Sequence, residues 1–459
     1  MARFPIGSRH RRAGVTVSTI VVCLLAVGAP AGAAVPNQGS GPEDLVPLGT
    51  GVLFTADDGL VGRELWSTDG TAGGTELVKD VNPSGGSQPN DLTRAGTQVF
   101  FSADDGTHGI ELWRSNGTSR GTKLVEDINP SGSSEPTQLV ALGRLVLFVA
   151  DDGTHGVELW RSDGTAAGTK LVKDINPTGS SSPYELTRMG GVVFFQADDG
   201  VHGVELWRSD GTAGGTRMVK DIGIDDGSYP ADFALAGSWV VFRATDGAHG
   251  PELWRTDGTT RGTRLLKDID PSSNGSNPTG MTTVGGLVYF SADNGADGNE
   301  LWRTDGTPGG TRMVRNIDPT GSSGPSGFVD VNGIAYFSAY DPAHGIELWL
   351  TNGKAAGTRM VKDLYPGGDA EPTQLVAVGP RLWFAAWDGT LARLYRTNGS
   401  DAGTVAVSSA SDCICAHDLL FVGGQLLFDG SDTDHGAELW GSNRTLTGIR
   451  RIKDINAQP

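Results

Sequence analysis

The sequence predicts an all-β protein, a β-propeller built from about nine four-stranded units of about 47 residues. The first observation is a short phrase that recurs nine times, and its aromatic residues are Trp66, Trp113, Trp160, Trp207, Trp254, Trp302, Trp349, Tyr395 and Trp440. They follow one another at steps of 47, 47, 47, 47, 48, 47, 46 and 45 residues. A constant period of this length is typical of repeat architectures, whose units bury their apolar faces only by stacking. The second observation is that each period holds four strand-like runs.

The third unit displays these runs most clearly. Its first run is 139–142, and a Gly-Arg turn leads to the continuously apolar second run, 145–149, as expected for a strand covered on both faces. The third and fourth runs are 157–161 and 169–175. A parallel β-solenoid is the alternative, but its shorter coils would not supply four turn-bounded strands per repeat. Nine units exceed the usual four to eight or so blades, so either the ring is unusually large or the degenerate eighth unit is not an ordinary blade.

Two loops of each unit are expected to share one face of the ring. One is the Asp-Asp-Gly-Thr-His-Gly segment between the second and third strands, and the other is the Asn-Pro-Ser-Gly segment that leads to the next unit. Function is expected on this face because longer loops carry binding residues. Each unit starts with its own first strand, so ring closure should depend on packing between the first and last blades without an exchanged strand.

The N-terminus reads as an export signal. Arg3, Arg9, Arg11 and Arg12 precede an uncharged stretch, 13–34, that ends in small residues. We expect a signal peptide at 1–34 to be cleaved, a linker at 35–43, and the propeller at 44–459. The strongly apolar part is too short for a membrane anchor, so no transmembrane segment is expected in the mature chain, which would be secreted, periplasmic or on the cell surface.

The chain is acidic. Losing the four signal arginines, with no acid, changes the net charge from −18 to −22. Such a protein repels nucleic acid, so nucleic-acid partners are not expected. Two cysteines remain, Cys413 and Cys415, too few for a disulfide framework but a candidate local disulfide.

The recurrent phrase resembles the bacterial ELWxxDGT repeat family, which is named after this octapeptide. Residues 158–165 read ELWRSDGT, and the match recurs at 64–71, 111–118, 205–212, 252–259 and 300–307, and more loosely at 347–354 and 438–445. In the eighth copy, Arg393 and Tyr395 replace the Glu and the Trp. The resemblance implies an exported, propeller-like bacterial protein, and it implies no particular reaction or ligand.

Acidic residues precede the glycine of the loop between the second and third strands. Paired acids occur in four units, at Asp57, Asp58, Asp104, Asp105, Asp151, Asp152, Asp198 and Asp199. Oxygen-rich glycine loops can hold calcium, but the spacing lacks an EF-hand series with its distal bidentate Glu. We therefore favour turn residues and retain calcium as the alternative; no cofactor is required.

Six histidines occupy one position of the repeat: His108, His155, His202, His249, His344 and His435. One histidine per loop is not a zinc site, so a hydrogen-bonding role is expected, with the Glu three residues later as a candidate acceptor. The Asp of the Asp-Gly-Thr turn is replaced by Asn in four units, which favours a turn over an acid or base. The repeated Trp and Leu are expected to pack between blades.

Asymmetry is concentrated in the eighth unit. Candidate ligand-binding residues there are Asp369, Glu371, Trp383, Trp387 and Tyr395, none of which matches the consensus. The competing interpretation is drift in a unit released from constraint.

The sequence favours a binding or surface-interaction scaffold with an extracellular protein or glycan as partner. We expect a monomer without catalysis. One alternative is a secreted polysaccharide hydrolase or lyase using Asp369 and Glu371. The other is a calcium-stabilised protein of the cell envelope.

Overall fold

The computed structural model describes residues 39–457 except 225–226, 408–415, 433 and 447. This part of the chain contains nine antiparallel sheets of four strands each. Each first strand contacts the first strands of both neighbouring sheets, and the first and ninth sheets meet in the same way. The sheets therefore form a closed ring around one axis, and the predicted nine-unit β-propeller is confirmed.

The strands of each blade follow chain order from the axis outward. The first strands are Glu43–Leu48, Asn90–Ala95, Thr137–Leu142, Tyr184–Met189, Ala231–Ala236, Thr279–Val284, Ser326–Val331, Thr373–Val378 and His417–Val422. The second strands are Gly51–Asp57, Gln98–Asp104, Leu145–Asp151, Val192–Asp198, Trp239–Thr245, Leu287–Asp293, Ile334–Asp341, Arg381–Trp387 and Gln425–Asp432.

The outer two strands carry the recurrent phrase and the segment after it. The third strands are Arg63–Thr68, Ile110–Ser115, Val157–Ser162, Val204–Ser209, Pro251–Thr256, Asn299–Thr304, Gly345–Thr351, Ala392–Thr397 and Gly436–Ser442. The fourth strands are Glu76–Lys79, Lys123–Glu126, Lys170–Lys173, Arg217–Lys220, Arg264–Lys267, Arg312–Arg315, Arg359–Lys362, Val405–Ala406 and Ile449–Lys453. Short 3₁₀ turns occur at Ser119–Gly121, Ala166–Gly168 and Ala355–Gly357.

The eighth unit is a true blade. Its four strands pair in the same order as those of the other blades, although its fourth strand is shortened to Val405–Ala406. The large ring, rather than an aberrant eighth unit, therefore accounts for the nine repeats. Cys413 and Cys415 lie outside the described residues, so their pairing stays a prediction.

The core is divided among the nine junctions between blades. Trp113 of the second blade packs with Leu53 and Leu65 of the first. At the closing junction, Trp66 of the first blade packs with Leu427 and Leu439 of the ninth. The predicted packing of the repeated aromatic residue between blades is confirmed, and it explains why the phrase must recur once per blade.

A lysine on the fourth strand adds a polar link across many of these junctions. Lys79 Nζ lies 5.3 Å from the ring centroid of Trp113 and donates to the carbonyl oxygen of Thr122 at 3.2 Å. Lys453 repeats this arrangement at the closing junction, 5.9 Å from Trp66, with a 2.7 Å hydrogen bond to the carbonyl oxygen of Thr75. The first and ninth blades are thus joined as internal neighbours are.

Residues just before the first strand complete the ninth blade. Ser40 Oγ donates to Glu438 Oε2 at 2.7 Å, and Gly41 N donates to the carbonyl oxygen of Ala437 at 3.0 Å. A Cβ on Gly39 would overlap the backbone of Ala437, so only glycine permits this approach. No strand is exchanged between the described ends of the chain, as expected. Residues 39–41, which belong to the predicted linker, make the contacts to the ninth blade that an interblade loop makes to the other blades.

Replacing Ser40 with alanine should destabilise the ring. The buried Glu438 carboxylate would lose a donor, which typically costs about 1–3 kcal/mol. A lower Tm in calorimetry is the expected result. Ser84→Ala, at an exposed serine of an internal loop, is the control and should leave Tm unchanged. A Ser40→Ala variant as stable as that control would show that closure does not depend on this contact.

Candidate functional site

The two longer loops of each unit lie together, as predicted, on what we call the loop face. In the second blade, Ile110 N donates to Ser133 Oγ of the loop that leads to the next blade at 3.0 Å. Asp104 N donates to the carbonyl oxygen of Ser87 in the preceding loop at 2.9 Å. Each loop between second and third strands is therefore held between two interblade loops.

The glutamate of the recurrent phrase lies beneath the loop face and accepts hydrogen bonds from the interblade loop. Glu111 is fully buried, and its carboxylate accepts hydrogen bonds from Ile128 N at 3.0 Å, Ser134 N at 2.9 Å and Ser134 Oγ at 2.6 Å. The same serine bond is made by Glu64, Glu158, Glu205, Glu252, Glu300 and Glu438. Burial raises the pKa of Glu111, and these hydrogen bonds oppose the rise. The glutamate fixes the interblade loop onto the third strand.

The paired loop acids act as hydrogen-bond acceptors for their own loops. Asp104 Oδ1 accepts from Gly106 N at 2.7 Å, and Asp105 Oδ1 accepts from Thr107 N at 2.9 Å. The same bonds recur for Asp57 and Asp58, Asp151 and Asp152, and Asp198 and Asp199. No group of three or more His, Cys, Asp or Glu residues is placed to hold a metal ion among the described residues.

The loop histidine pairs with the aspartate that precedes it. His108 Nδ1 lies 2.8 Å from Asp105 Oδ2, and this contact raises the pKa of His108. Although burial opposes the change, hydrogen bonds from His108 lower the pKa of Asp105. The expectation that the histidine pairs with the glutamate three residues later was wrong, because that glutamate is engaged by the interblade loop.

The candidates in the eighth unit do not converge on one surface. Trp383 is 1 % exposed and packs between the eighth and ninth blades, whereas Tyr395 is 6 % exposed and packs between the seventh and eighth. Asp369 and Glu371 are exposed on the interblade loop, where Asp369 Oδ1 accepts from Ile346 N at 2.8 Å. Trp387 is half-buried at the end of the second strand. Trp383 and Tyr395 belong to the core.

We call the hydrogen bonds between the repeated glutamate and the interblade loop, including the one from the serine, the glutamate cage. This cage changes at the two junctions of the eighth blade. Ala370 stands where other loops have the serine, and the buried Oε2 of Glu347 has no hydrogen-bond partner among the described residues. Burial raises the pKa of Glu347 to about 7. In the eighth blade itself, Arg393 replaces the glutamate and pairs with Asp388, and in the sequence Ile414, three residues before the next first strand, stands in place of the serine. The two partners of the cage are lost together there.

The chemically varied part of the loop face is its inner edge. We call the first two residues of each first strand the axial rim, because these strands surround the axis and begin on the loop face. The second residue has a positive φ in every blade, for example 57° at Asp91 and 56° at Gln138. The rim residues are Glu43, Asp44, Asn90, Asp91, Thr137, Gln138, Tyr184, Glu185, Ala231, Asp232, Thr279, Gly280, Ser326, Gly327, Thr373, Gln374, His417 and Asp418.

Five of these residues form a set that we call the axial acids: Asp418, Asp44, Asp91, Glu185 and Asp232. Several accept a hydrogen bond from the first strand of the next blade. Asp418 Oδ2 accepts from Asp44 N at 3.0 Å, and Asp91 Oδ2 accepts from Gln138 N at 2.8 Å. Asp232 Oδ1 accepts from Gly280 N at 3.2 Å. The acids thus tie neighbouring blades together beside the axis and concentrate negative charge there.

Burial and repulsion from neighbouring carboxylates perturb these acids. Burial, with Asp418 and Asp91 nearby, raises the pKa of Asp44 to about 6. Burial also raises the pKa of Asp91 and of Glu185. Our reading of the sequence missed these acids. A proline directly precedes the rim in eight units and marks its position, where the side chain changes from copy to copy.

Ala370→Ser should stabilise the chain, and more so at pH 8 than at pH 5. The pKa of Glu347 is raised from 4.5 to about 7, so the carboxyl's favourable contribution is present at low pH and is lost as pH rises through about 7. A serine hydroxyl would donate to the ionised Oε2, adding about 1–2 kcal/mol at pH 8. Tm at both pH values measures the effect. Ser134→Ala removes the same hydroxyl donor from Glu111, so it should lower Tm, and more at pH 8 than at pH 5. Equal Tm changes at both pH values would contradict this account.

Asp44→Asn should raise Tm at pH 8 and leave it nearly unchanged at pH 4. The raised pKa, about 6 against 3.8, means that ionisation costs stability as pH rises through about 6. Asparagine keeps the acceptor oxygen and tolerates the φ of 56° at this position. Partial exposure screens the repulsion, so we expect a gain of about 1–2 kcal/mol. Asp69→Asn, at an exposed turn, is the control; a matching gain there would refute the role of axial repulsion.

No protein-family model matches the chain, and no curated protein matches it. The chain is similar to a solved puromycin hydrolase, with 16% identity, a TM-score of 0.39, and coverage of 76% of this chain and 59% of the hydrolase. It is also similar to a prolyl endopeptidase, with 12% identity, a TM-score of 0.42, and coverage of 75% of this chain and 54% of the endopeptidase. The β-propeller domain of the trilobed protease from Pyrococcus furiosus shares 13% identity with the chain, at a TM-score of 0.37, with coverage of 70% of this chain and 98% of that domain.

The chain therefore spans between half and three fifths of the two whole peptidases. At these identities and TM-scores the likeness carries no argument about activity. Among the described residues, no helix has both the length and the apolar character needed to cross a membrane.

Proposed function

We propose that this protein is an exported member of the ELWxxDGT repeat family that binds an extracellular protein or glycan at its axial rim. The observation that carries the proposal is the contrast between a repeated scaffold and a varied rim. The glutamate, the aromatic residue and the loop acids recur around the ring, whereas rim positions hold acids, amides, hydroxyls, glycine, His417 and Tyr184. Side chains that differ among equivalent positions suit a ligand that lacks ninefold symmetry.

Exposure of the rim supports a binding role. The first rim residue is exposed in six blades, at Glu43, Asn90, Thr137, Thr279, Ser326 and Thr373. The axial acids give one part of the rim a negative field, while Gly280, Gly327 and Gln374 leave another part uncharged. A negatively charged partner such as nucleic acid is disfavoured by this field and by the net charge of −18.

Catalysis by the acids of the eighth unit is not favoured. Asp369 and Glu371 are exposed on an interblade loop, and Asp369 accepts a backbone hydrogen bond from Ile346. Calcium remains a candidate stabiliser rather than the basis of the proposal, since the paired loop acids already accept loop amide hydrogens. A Tm that rises on adding calcium would favour the envelope-protein alternative.

Binding of the labelled mature chain to a defined probe panel tests the proposal. The panel contains bacterial cell-envelope polysaccharides, neutral oligosaccharides and cationic peptides. Thr137→Arg and Thr373→Arg place bulky side chains at exposed rim positions. We expect these variants to lose at least about tenfold in affinity, that is about 1.4 kcal/mol, for any probe the parent binds, with Tm unchanged.

Ala72→Arg and Ala213→Arg are the matched controls, because they add the same side chain at exposed turns on the opposite face. These controls should retain the parent's affinity. The proposal fails if no probe on the panel binds, or if the rim and control variants lose affinity equally.

A further inference from the structure

A surface cavity, open to solvent, lies at the loop-face edge of the junction between the sixth and seventh blades. Its volume is about 360 Å³. The polar side chains that line it are Asn277, Thr279, Ser291, Asn299, Ser322 and Ser326. Gly324 and Pro325 complete the lining. Thr279 and Ser326 are axial-rim residues, so the cavity opens beside the surface to which the binding function is assigned.

Two residues distinguish this junction from its copies. In each interblade loop, one residue donates its backbone N–H to the carbonyl oxygen at the start of the preceding third strand. At this junction that pair is Gly324 and Asn299, at 3.1 Å. The equivalent pairs include Glu135 with Ile110, Ser182 with Val157, Tyr229 with Val204, and Glu371 with Ile346. Glycine therefore leaves open the space that larger side chains occupy elsewhere, and asparagine replaces an apolar wall with an amide.

The neighbouring rim positions enlarge the same opening. Gly280 and Gly327 stand where the axial acids stand in other blades. Their missing side chains remove both bulk and negative charge from this part of the rim. The carboxylate of Asp232 reaches Gly280 N at 3.2 Å, so this part of the rim carries less negative charge than the rest without being free of it.

Several polar groups in the cavity are available to a ligand. The side-chain amides of Asn277 and Asn299 and the hydroxyls of Thr279 and Ser326 have no hydrogen-bond partner in the part of the chain that the structure describes. Amides and hydroxyls both donate and accept hydrogen bonds, as sugar hydroxyls do. Among the residues that the structure describes, no charged side chain lines the cavity. Its volume lies within the range of about 300–1,000 Å³ found for small-molecule sites.

We propose that this cavity binds a neutral sugar residue, which would make the partner a glycan. The inference rests on the proposed binding function and narrows it to one ligand class and one junction. The described lining residues include no aromatic side chain, which indicates recognition through hydrogen bonds rather than ring stacking. Such a site favours uncharged, multiply hydroxylated units over anionic or apolar ones.

Two substitutions that copy other blades test the cavity. Asn299→Val introduces the residue found at Val157 and Val204, and Gly324→Glu introduces the residue found at Glu135. Glu135 adopts a φ of 47° and Gly324 a φ of 52°, so the backbone accepts the change. Ser182→Glu is the matched control, since it places the same side chain at the junction of the third and fourth blades.

Titration calorimetry with neutral oligosaccharides of glucose, galactose, mannose and N-acetylglucosamine supplies the measurement. We expect at least one to bind the parent and the Ser182→Glu variant equally, and to bind Asn299→Val and Gly324→Glu at least about tenfold more weakly with unchanged Tm. If no neutral oligosaccharide binds, or if the cavity variants bind as the parent does, the inference is wrong. A different outcome would separate the two proposals. If a probe other than a neutral oligosaccharide binds the parent, and Thr137→Arg weakens its binding while the cavity variants do not, the rim binds a ligand and the cavity does not.

Discussion

The buried glutamate of the recurrent phrase is the contact on which the rest of the propeller depends. It lies on the third strand, yet its carboxylate holds the loop that leaves the fourth strand and starts the next blade. A fully buried carboxylate is tolerated only where several donors compensate for lost hydration, and the loop supplies them from two backbone amides or more and one serine. In most blades one side chain therefore fixes where the next blade begins.

Periodicity made the architecture predictable, because each apolar second strand and each repeated aromatic residue requires a neighbour to cover it. Phe148 and Trp160 lie opposite one another in the sheet and are both buried, as their sequence pattern indicates. The site was less predictable. Trp383 departs from the consensus but fills the core, and departure from a repeat does not distinguish a repacked interior from a binding surface. The sequence did not indicate the axial acids, because residues about one period apart in the sequence become neighbours only when the ring forms.

Variation between blades has two distinct physical meanings in this molecule. At the eighth blade, glutamate and serine are both absent and Arg393 pairs with Asp388, so the change preserves local charge compensation. At the seventh, only the serine is absent, and a carboxyl oxygen stays unpaired in the interior. At the axial rim, by contrast, side chains vary on an unchanged backbone with the same positive φ. Such a rim can change its chemistry without disturbing the blades that hold it.

The contact between Ser40 and Glu438 bears on the order in which the molecule is made. Ser40 precedes the first blade, whereas the strands of the ninth blade that it contacts follow the other eight blades in the sequence. A growing chain can build blade after blade from neighbouring segments, but its ring stays open until the ninth blade has been synthesised. Until then, both terminal blades expose an apolar side, and any fusion or obstruction next to Ser40 would prolong that interval.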